Sequence, residues 1–223
     1  MLEVFVSLLH SYCDHLKSSS SNSSISSSET LITLGELSIT ALGEVLSGCN
    51  QNAAVFRDTG GAKIVLSLVK IEESRDSALG LMQQLILAAG GDDDLTCLLE
   101  LLHMSTQTSI DLKADILHTV IACLKESHRS RAVFRRVSGF VYIISVLVSL
   151  ESSLADLPLE QKKFPDEKKV FTLLRAVFTC LTIAMRYEPA NAKYFQVRPY
   201  ASPANRVRLL YLYVVHFFNF RLR

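Results

Sequence analysis

An all-α fold built from stacked helix–turn–helix units is what this sequence predicts, on three observations. Apolar residues recur at three- and four-residue spacing almost without a break from Thr30 to Met185, and each such stripe marks a helix with one buried face. Five prolines and nine glycines in 223 residues are too few for the turns of a many-stranded protein. A ten-residue block also returns later in the chain at nearly full length.

Taken in order, residues 1–17 predict an N-terminal amphipathic helix with Val4, Leu8, Leu9 and Tyr12 on one stripe. Residues 18–29 read as a Ser-rich flexible linker, since positions 18–28 hold nine serines. Such a tract buries too little apolar area to offset its ordering entropy. It offers hydroxyls for phosphorylation, but its composition favours a plain solvated hinge. Over 30–47, Leu31, Leu34, Leu42, Val45 and Leu46 mark a helix or two, with Gly35 and Gly43 as weak points. Further stripes follow: Ile64, Val65, Leu68 and Val69; then Met82, Leu85, Ile86 and Ala89; then Leu95, Leu98, Leu99 and Leu102. Next come Ala114, Leu117, Val120, Ile121 and Leu124, and finally Val170, Phe171, Leu174, Val177, Phe178, Leu181 and Met185. Between two of these helices, Gly90-Gly91 reads as a stop and Asp92-Asp93-Asp94 as the cap of the next helix. The triple aspartate lacks the spaced carboxylates and distal glutamate of a calcium loop.

The recurring block is Asn52-Ala-Ala-Val-Phe-Arg-Asp-Thr-Gly-Gly61, echoed 78 residues later by Ser130-Arg-Ala-Val-Phe-Arg-Arg-Val-Ser-Gly139. Ala54, Val55, Phe56, Arg57, Gly61 and Ser67 return as Ala132, Val133, Phe134, Arg135, Gly139 and Ser145. A third, partial copy runs from Asn191 to Phe195. Half of that offset is close to the ~40–47-residue period of HEAT and armadillo units. The expected fold is therefore an all-α, armadillo/HEAT-like helical repeat solenoid of about four units over 30–195, with an open C-terminal end at Phe195. Its junctions would be held by Asn52, Phe56, Gly61, Phe134, Gly139, Asn191 and Phe195. Asn52 would end or cap a helix, Val55 and Phe56 would pin a short connector between units, and Gly61 would allow a bend where a Cβ collides.

Composition excludes several functions. Twenty-three basic and 22 acidic residues give a net charge of +1, so bulk attraction to nucleic acid or anionic lipid is not expected. Cys13, Cys49, Cys97, Cys123 and Cys180 are dispersed and odd in number with no CxxC pair, which fits a reducing compartment. Met1-Leu2-Glu3-Val4 has an acid where a secretory signal carries a base, so the expected location is cytoplasmic. His10, His15, His103, His118, His128 and His216 show no metal-ligand spacing, and no nucleophile elbow or phosphate loop is present. The expectation is no enzyme, no cofactor and no metal. One basic cluster, Arg129, Arg131, Arg135 and Arg136 beside His128, is the candidate partner-binding site for an acidic segment or phosphate. Its bland alternative is a solvated inter-helix loop with some arginines capping helix ends, paired with Glu72-Glu73 or Asp92–Asp94. The absence of tryptophan argues against an importin-like peptide groove.

Four separated blocks carry a narrower resemblance: AAGGDDD at 88–94, LKADIL at 112–117, ESHRSRAVFRRVSGFVYI at 126–143 and AMRYEPANAKYF at 184–195. Together they resemble the N-terminal armadillo-like region of Alfy/Blue cheese-type BEACH–WD40–FYVE scaffold proteins. The resemblance implies a protein-interaction segment of a large scaffold in selective autophagy and membrane traffic, reaching membranes through that scaffold. Its partners are proteins whose identity the residues do not reveal. The likeness ends at Phe195, and residues 196–223 read as a divergent aromatic and basic tail on a truncated chain. Twelve apolar-leaning residues from Leu209 to Phe220 are too few to span a bilayer, which needs ~20. The tail reads either as an unselected remnant or as an interfacial anchor, the latter making the chain a peripheral membrane-associated protein.

Overall fold

The computed structural model describes residues 2–18, 25–105, 109–155 and 167–197, and every regular element among them is an α-helix. Eleven helices follow in chain order: α1 (Leu2–Ser18), α2 (Ile25–Leu46), α3 (Asn50–Asp58), α4 (Gly61–Leu68), α5 (Arg75–Leu87) and α6 (Asp92–Met104). Then come α7 (Ile110–Glu126), α8 (His128–Arg136), α9 (Gly139–Ala155), α10 (Glu167–Met185) and α11 (Pro189–Val197). The chain divides within α6 into two compact units, Met1–Leu98 and Leu99–Arg223.

In the first unit, α2 packs on α1 and α5, while α4 packs on α1 and α5. The serine-rich stretch is shorter as a linker than its composition implies, because α2 already begins at Ile25; residues 19–24 lie outside the described residues. Serine is only mildly unfavourable in a helix, so a turn of it extends a helix anchored further along by Ile39, Leu42 and Leu46. Gly35 is not a weak point. A Cβ there would fall into the Tyr12 ring, so glycine is what allows α1 and α2 to approach. The stripe of α1 is also turned from expectation: Leu9, Tyr12 and Cys13 are buried, whereas Val4 is 62% exposed.

In the second unit, α7 and α10 pack along their length, and α8 touches α7, α9, α10 and α11. The predicted face of α7 is buried in full. That of α10 is displaced: Leu173, Ala176, Val177, Cys180, Leu181 and Ala184 are buried and Phe171 is 70% exposed. A helix apolar nearly all round offers several stripes at the same spacing, and only its neighbours select one. Fully burying a leucine is worth about 1.5–3 kcal/mol, so this α7–α10 seam is a main source of the unit's stability. Lys169 Nζ lies 2.6 Å from an Asp111 carboxylate oxygen across the same pair of helices, but about half of each side chain is solvated and the contribution is small.

The expected connectors are themselves helices. α3, α8 and α11 are each nine residues long, with Asn52, Ser130 or Asn191 third and Phe56, Phe134 or Phe195 seventh. The bends after the first two copies have φ of 82° at Gly60 and 62° at Ser138, positions that correspond between copies. Gly61 and Gly139 are needed for a different reason from the bend: a Cβ on either would collide with the ring of Phe56 or Phe134. Val133 is buried as expected, but Val55 is 42% exposed and pins nothing. The tail begins later than residue 196, since α11 continues to Val197. Beyond Val197 the tail and both readings of it lie outside the described residues.

Candidate protein-interaction site

The three nine-residue helices act as clasps, and their side chains do it by donating to carbonyls that a helix end leaves without partners. Asn52 Nδ2 donates to the Val45 carbonyl at 2.9 Å, and Asn191 Nδ2 donates to the Ala184 carbonyl at 2.8 Å. Both bonds reach back seven residues to the helix that ends before the clasp. In the middle copy the equivalent residue is Ser130, too short for this reach. Arg131 takes over, its Nη1 donating to the Leu124 carbonyl at 2.7 Å. Ser130 N–H is instead accepted by the Ser127 hydroxyl at 3.2 Å, which caps α8.

Arg57 has the widest grip. Its Nε donates to an Asp94 carboxylate oxygen at 2.6 Å, Nη1 to the Ala89 carbonyl at 2.8 Å and Nη2 to the Leu85 carbonyl at 2.6 Å. Asn50 Oδ1 accepts from Ala89 N–H at 2.7 Å, so α3 holds the joint between α5 and α6 at four points. This corrects the expected role of the aspartates. Asp92, Asp93 and Asp94 fill the first turn of α6, where carboxylates suit the helix dipole, and Asp94 is the buried partner of Arg57. Burial pushes the Asp94 carboxyl above its ordinary value, with the Arg57 guanidinium pulling the other way.

The basic cluster is not a loop. It is α8 itself, and the structure sorts its arginines into two sets. Arg131 is drawn inward, its side chain 14% exposed, with Nε 3.6 Å from Glu188 Oε1. It therefore leaves the candidate partner-binding set and joins the expected helix-capping arginines. His128 Nε2 also reaches Glu188 Oε1, at 2.8 Å, so self-pairing comes from Glu188 of the second unit. Arg129 and Arg136 are exposed seven residues apart on one face of α8, and Arg135 is half-buried. Asn191 is fully buried and donates a second bond from Nδ2 to the Arg131 carbonyl at 2.9 Å. Around this point Arg131 Nε and Asn191 Oδ1 are buried without a hydrogen bond among the described residues, and Glu188 Oε1 is met by the ion-pair contacts of His128 and Arg131. Phe134, Phe140, Tyr194 and Phe195 close the neighbouring apolar side, with the Phe134 and Phe140 rings edge to face at 5.1 Å.

Glu188, Asn50 and the grip of Arg57 were missed in sequence. The one available signal for Arg57 was its recurrence as Arg135. Elsewhere Lys113 is buried on α7 and burial lowers its ammonium pKa. Burial pushes the Cys123 thiol up to about 12 and that of Cys180 up as well. Among the described residues no three or more His, Cys, Asp or Glu converge as a metal-binding group, and no single helix is long and apolar enough to cross a membrane.

Helices, repeated clasps and their spacing define an all-α, armadillo-like helical-repeat fold. The family described as armadillo-like repeats matches residues 94–202. Among its particular relatives, the chain is 28% identical over 152 residues to WD repeat- and FYVE domain-containing protein 4 of Homo sapiens, and 26% identical over 152 residues to the protein of that name in Mus musculus. Each match takes in 68% of this chain and 5% of the relative, so the chain corresponds to a small part of those proteins' length. The expected resemblance to the WD repeat and FYVE scaffold group is borne out. No solved structure matches the chain.

Proposed function

We propose that this chain is a non-catalytic protein-interaction segment, working as part of, or in the manner of, a large scaffold in selective autophagy and membrane traffic. The observation that carries the reading is the similarity over 152 residues to a protein named for its WD repeats and FYVE domain, in a chain of clasped armadillo-like helices. Repeat stacks of this kind offer extended helical surfaces whose function is to hold other chains. A cytoplasmic location belongs to the same reading, supported by dispersed cysteines, three of them buried. Biotin proximity labelling from the chain in cells, with and without induction of autophagy, is the test. Enrichment of autophagy or traffic proteins over a size-matched helical control is the expected result. A labelling pattern indistinguishable from that control would refute it.

A further inference from the structure

We propose that Ser138 is a phosphorylation site for a serine kinase that selects basic substrates. The inference goes beyond the interaction-module reading and does not depend on it.

The sequence supplies the recognition chemistry. Arg135-Arg136-Val137-Ser138 places arginines three and two residues before a serine, and no other serine or threonine in the chain has arginine at both positions. Kinases of this kind read that spacing with acidic side chains lining the peptide cleft, where forked, charge-assisted bonds hold each guanidinium. Arg135 is half-buried, and Arg136 is exposed with contacts of its own inside the chain, so the kinase must exchange those contacts for its own.

The structure supplies the accessible hydroxyl. Ser138 is exposed in the turn that joins α8 to α9. Its side chain has no hydrogen-bond partner among the described residues, whereas the hydroxyls of Ser38, Ser67, Ser74, Ser105 and Ser145 each donate to a backbone carbonyl. The backbone adds an independent sign. Ser138 has a φ of 62°, and the corresponding residue of the first copy is Gly60, with a φ of 82°. Glycine adopts that conformation freely and serine does not. A serine held there, its hydroxyl doing nothing for the turn, is the sort of outlier from which a functional role is inferred.

To enter an extended cleft, the last turn of α8 must open. That releases the bonds from Val137 N–H to the Val133 carbonyl at 2.9 Å and from Ser138 N–H to the Arg135 carbonyl at 3.2 Å. Local opening costs least at such helix ends. Ser138 Oγ then attacks the γ-phosphorus of ATP. The Oγ–P bond forms as the bond from that phosphorus to the bridging oxygen breaks, the hydroxyl proton passes to the base of the kinase, and ADP leaves. The product carries a charge of about −1.5 to −2 just before Gly139, the first residue of α9, where the helix dipole favours an anion.

The test incubates the full chain with ATP and the catalytic subunit of cyclic-AMP-dependent protein kinase, and maps the sites by tandem mass spectrometry. The same mapping is made on the chain expressed in cells with phosphatases inhibited. Phosphate at Ser138 is expected in both. Its initial rate should fall about tenfold or more in Arg135→Gln/Arg136→Gln, which removes both charges the cleft reads. Arg136→Gln, at an exposed position, serves in its place if the double variant loses helical circular dichroism. A free peptide of residues 133–142 should react faster than the folded chain, the ratio measuring the cost of opening. Ser138→Gly should abolish this phosphate without lowering the urea midpoint, because glycine suits the positive φ. Phosphate confined to the serines of 18–28, a rate indifferent to the arginine changes, or a peptide that reacts where the folded chain does not would each overturn the proposal. So would a lowered midpoint in Ser138→Gly, or cells that leave Ser138 unmodified.

Discussion

Replacing Gly61 with alanine adds a single methyl group, and the structure predicts that it costs more than most substitutions of that size. The new Cβ has nowhere to go: it would overlap three ring atoms of Phe56, itself fully buried at the clasp. Alanine would otherwise gain up to about 1 kcal/mol over glycine in a helix. Overpacking a closed core costs about 1–3 kcal/mol, so collision should win. Gly139→Ala meets Phe134 in the same geometry and should behave alike. Gly80→Ala in α5 is the internal control, because nothing lies within 4 Å of its added Cβ, and it should stabilise. Urea unfolding followed by far-ultraviolet circular dichroism reads the differences, provided the slope stays constant between variants. Phe56→Leu/Gly61→Ala should recover part of the loss relative to the sum of the single changes, a coupling of about 0.5–2 kcal/mol. If Gly61→Ala and Gly80→Ala shift the midpoint in the same direction, the Phe–Gly contact is not what demands glycine here.

Three further outcomes follow from the same geometry. Asn191→Ala removes two bonds to buried carbonyls but also deletes the unpaired Oδ1; it should destabilise by about 2 kcal/mol in urea unfolding, more than Asn52→Ala, which removes one such bond. For Lys113, the folded ammonium loses its proton more readily than the unfolded one, so the unfolded chain binds more protons over a window below 10.5. Stability therefore rises with pH through that window, and Lys113→Met should flatten this rise and stabilise the chain at neutral pH by about 1 kcal/mol. Thiol labelling of the native chain with a maleimide, mapped by mass spectrometry, should modify exposed Cys97 first; Cys13, Cys123 and Cys180 should react only after unfolding. Early modification of Cys180 would contradict its burial in the α7–α10 seam.

The helical class, the approximate places of the helices and the equivalence of 52–61 with 130–139 were legible in the sequence, because spacing and recurrence are properties of the chain alone. Which apolar stripe each helix buries was legible only where one stripe existed, as in α7 with Leu117, Val120 and Leu124. In α1 and α10 several faces were apolar enough, and contact with neighbouring helices left Val4 and Phe171 outside. The glycines show the same division. Gly61 and Gly139 were marked by recurrence, yet the reason for them is a ring five residues back and not a bend, while Gly35 looked like a flaw until α1 brought Tyr12 against it. The basic cluster was readable as a run of charge, but not its sorting. A helix turns successive arginines to different sides, and Glu188, 57 residues beyond Arg131, is what draws that one inward. Local pattern thus determined the elements; the pairings of Arg57 with Asp94 and Arg131 with Glu188 depend on residues brought together only by the packing of distant helices, and packing alone decided them.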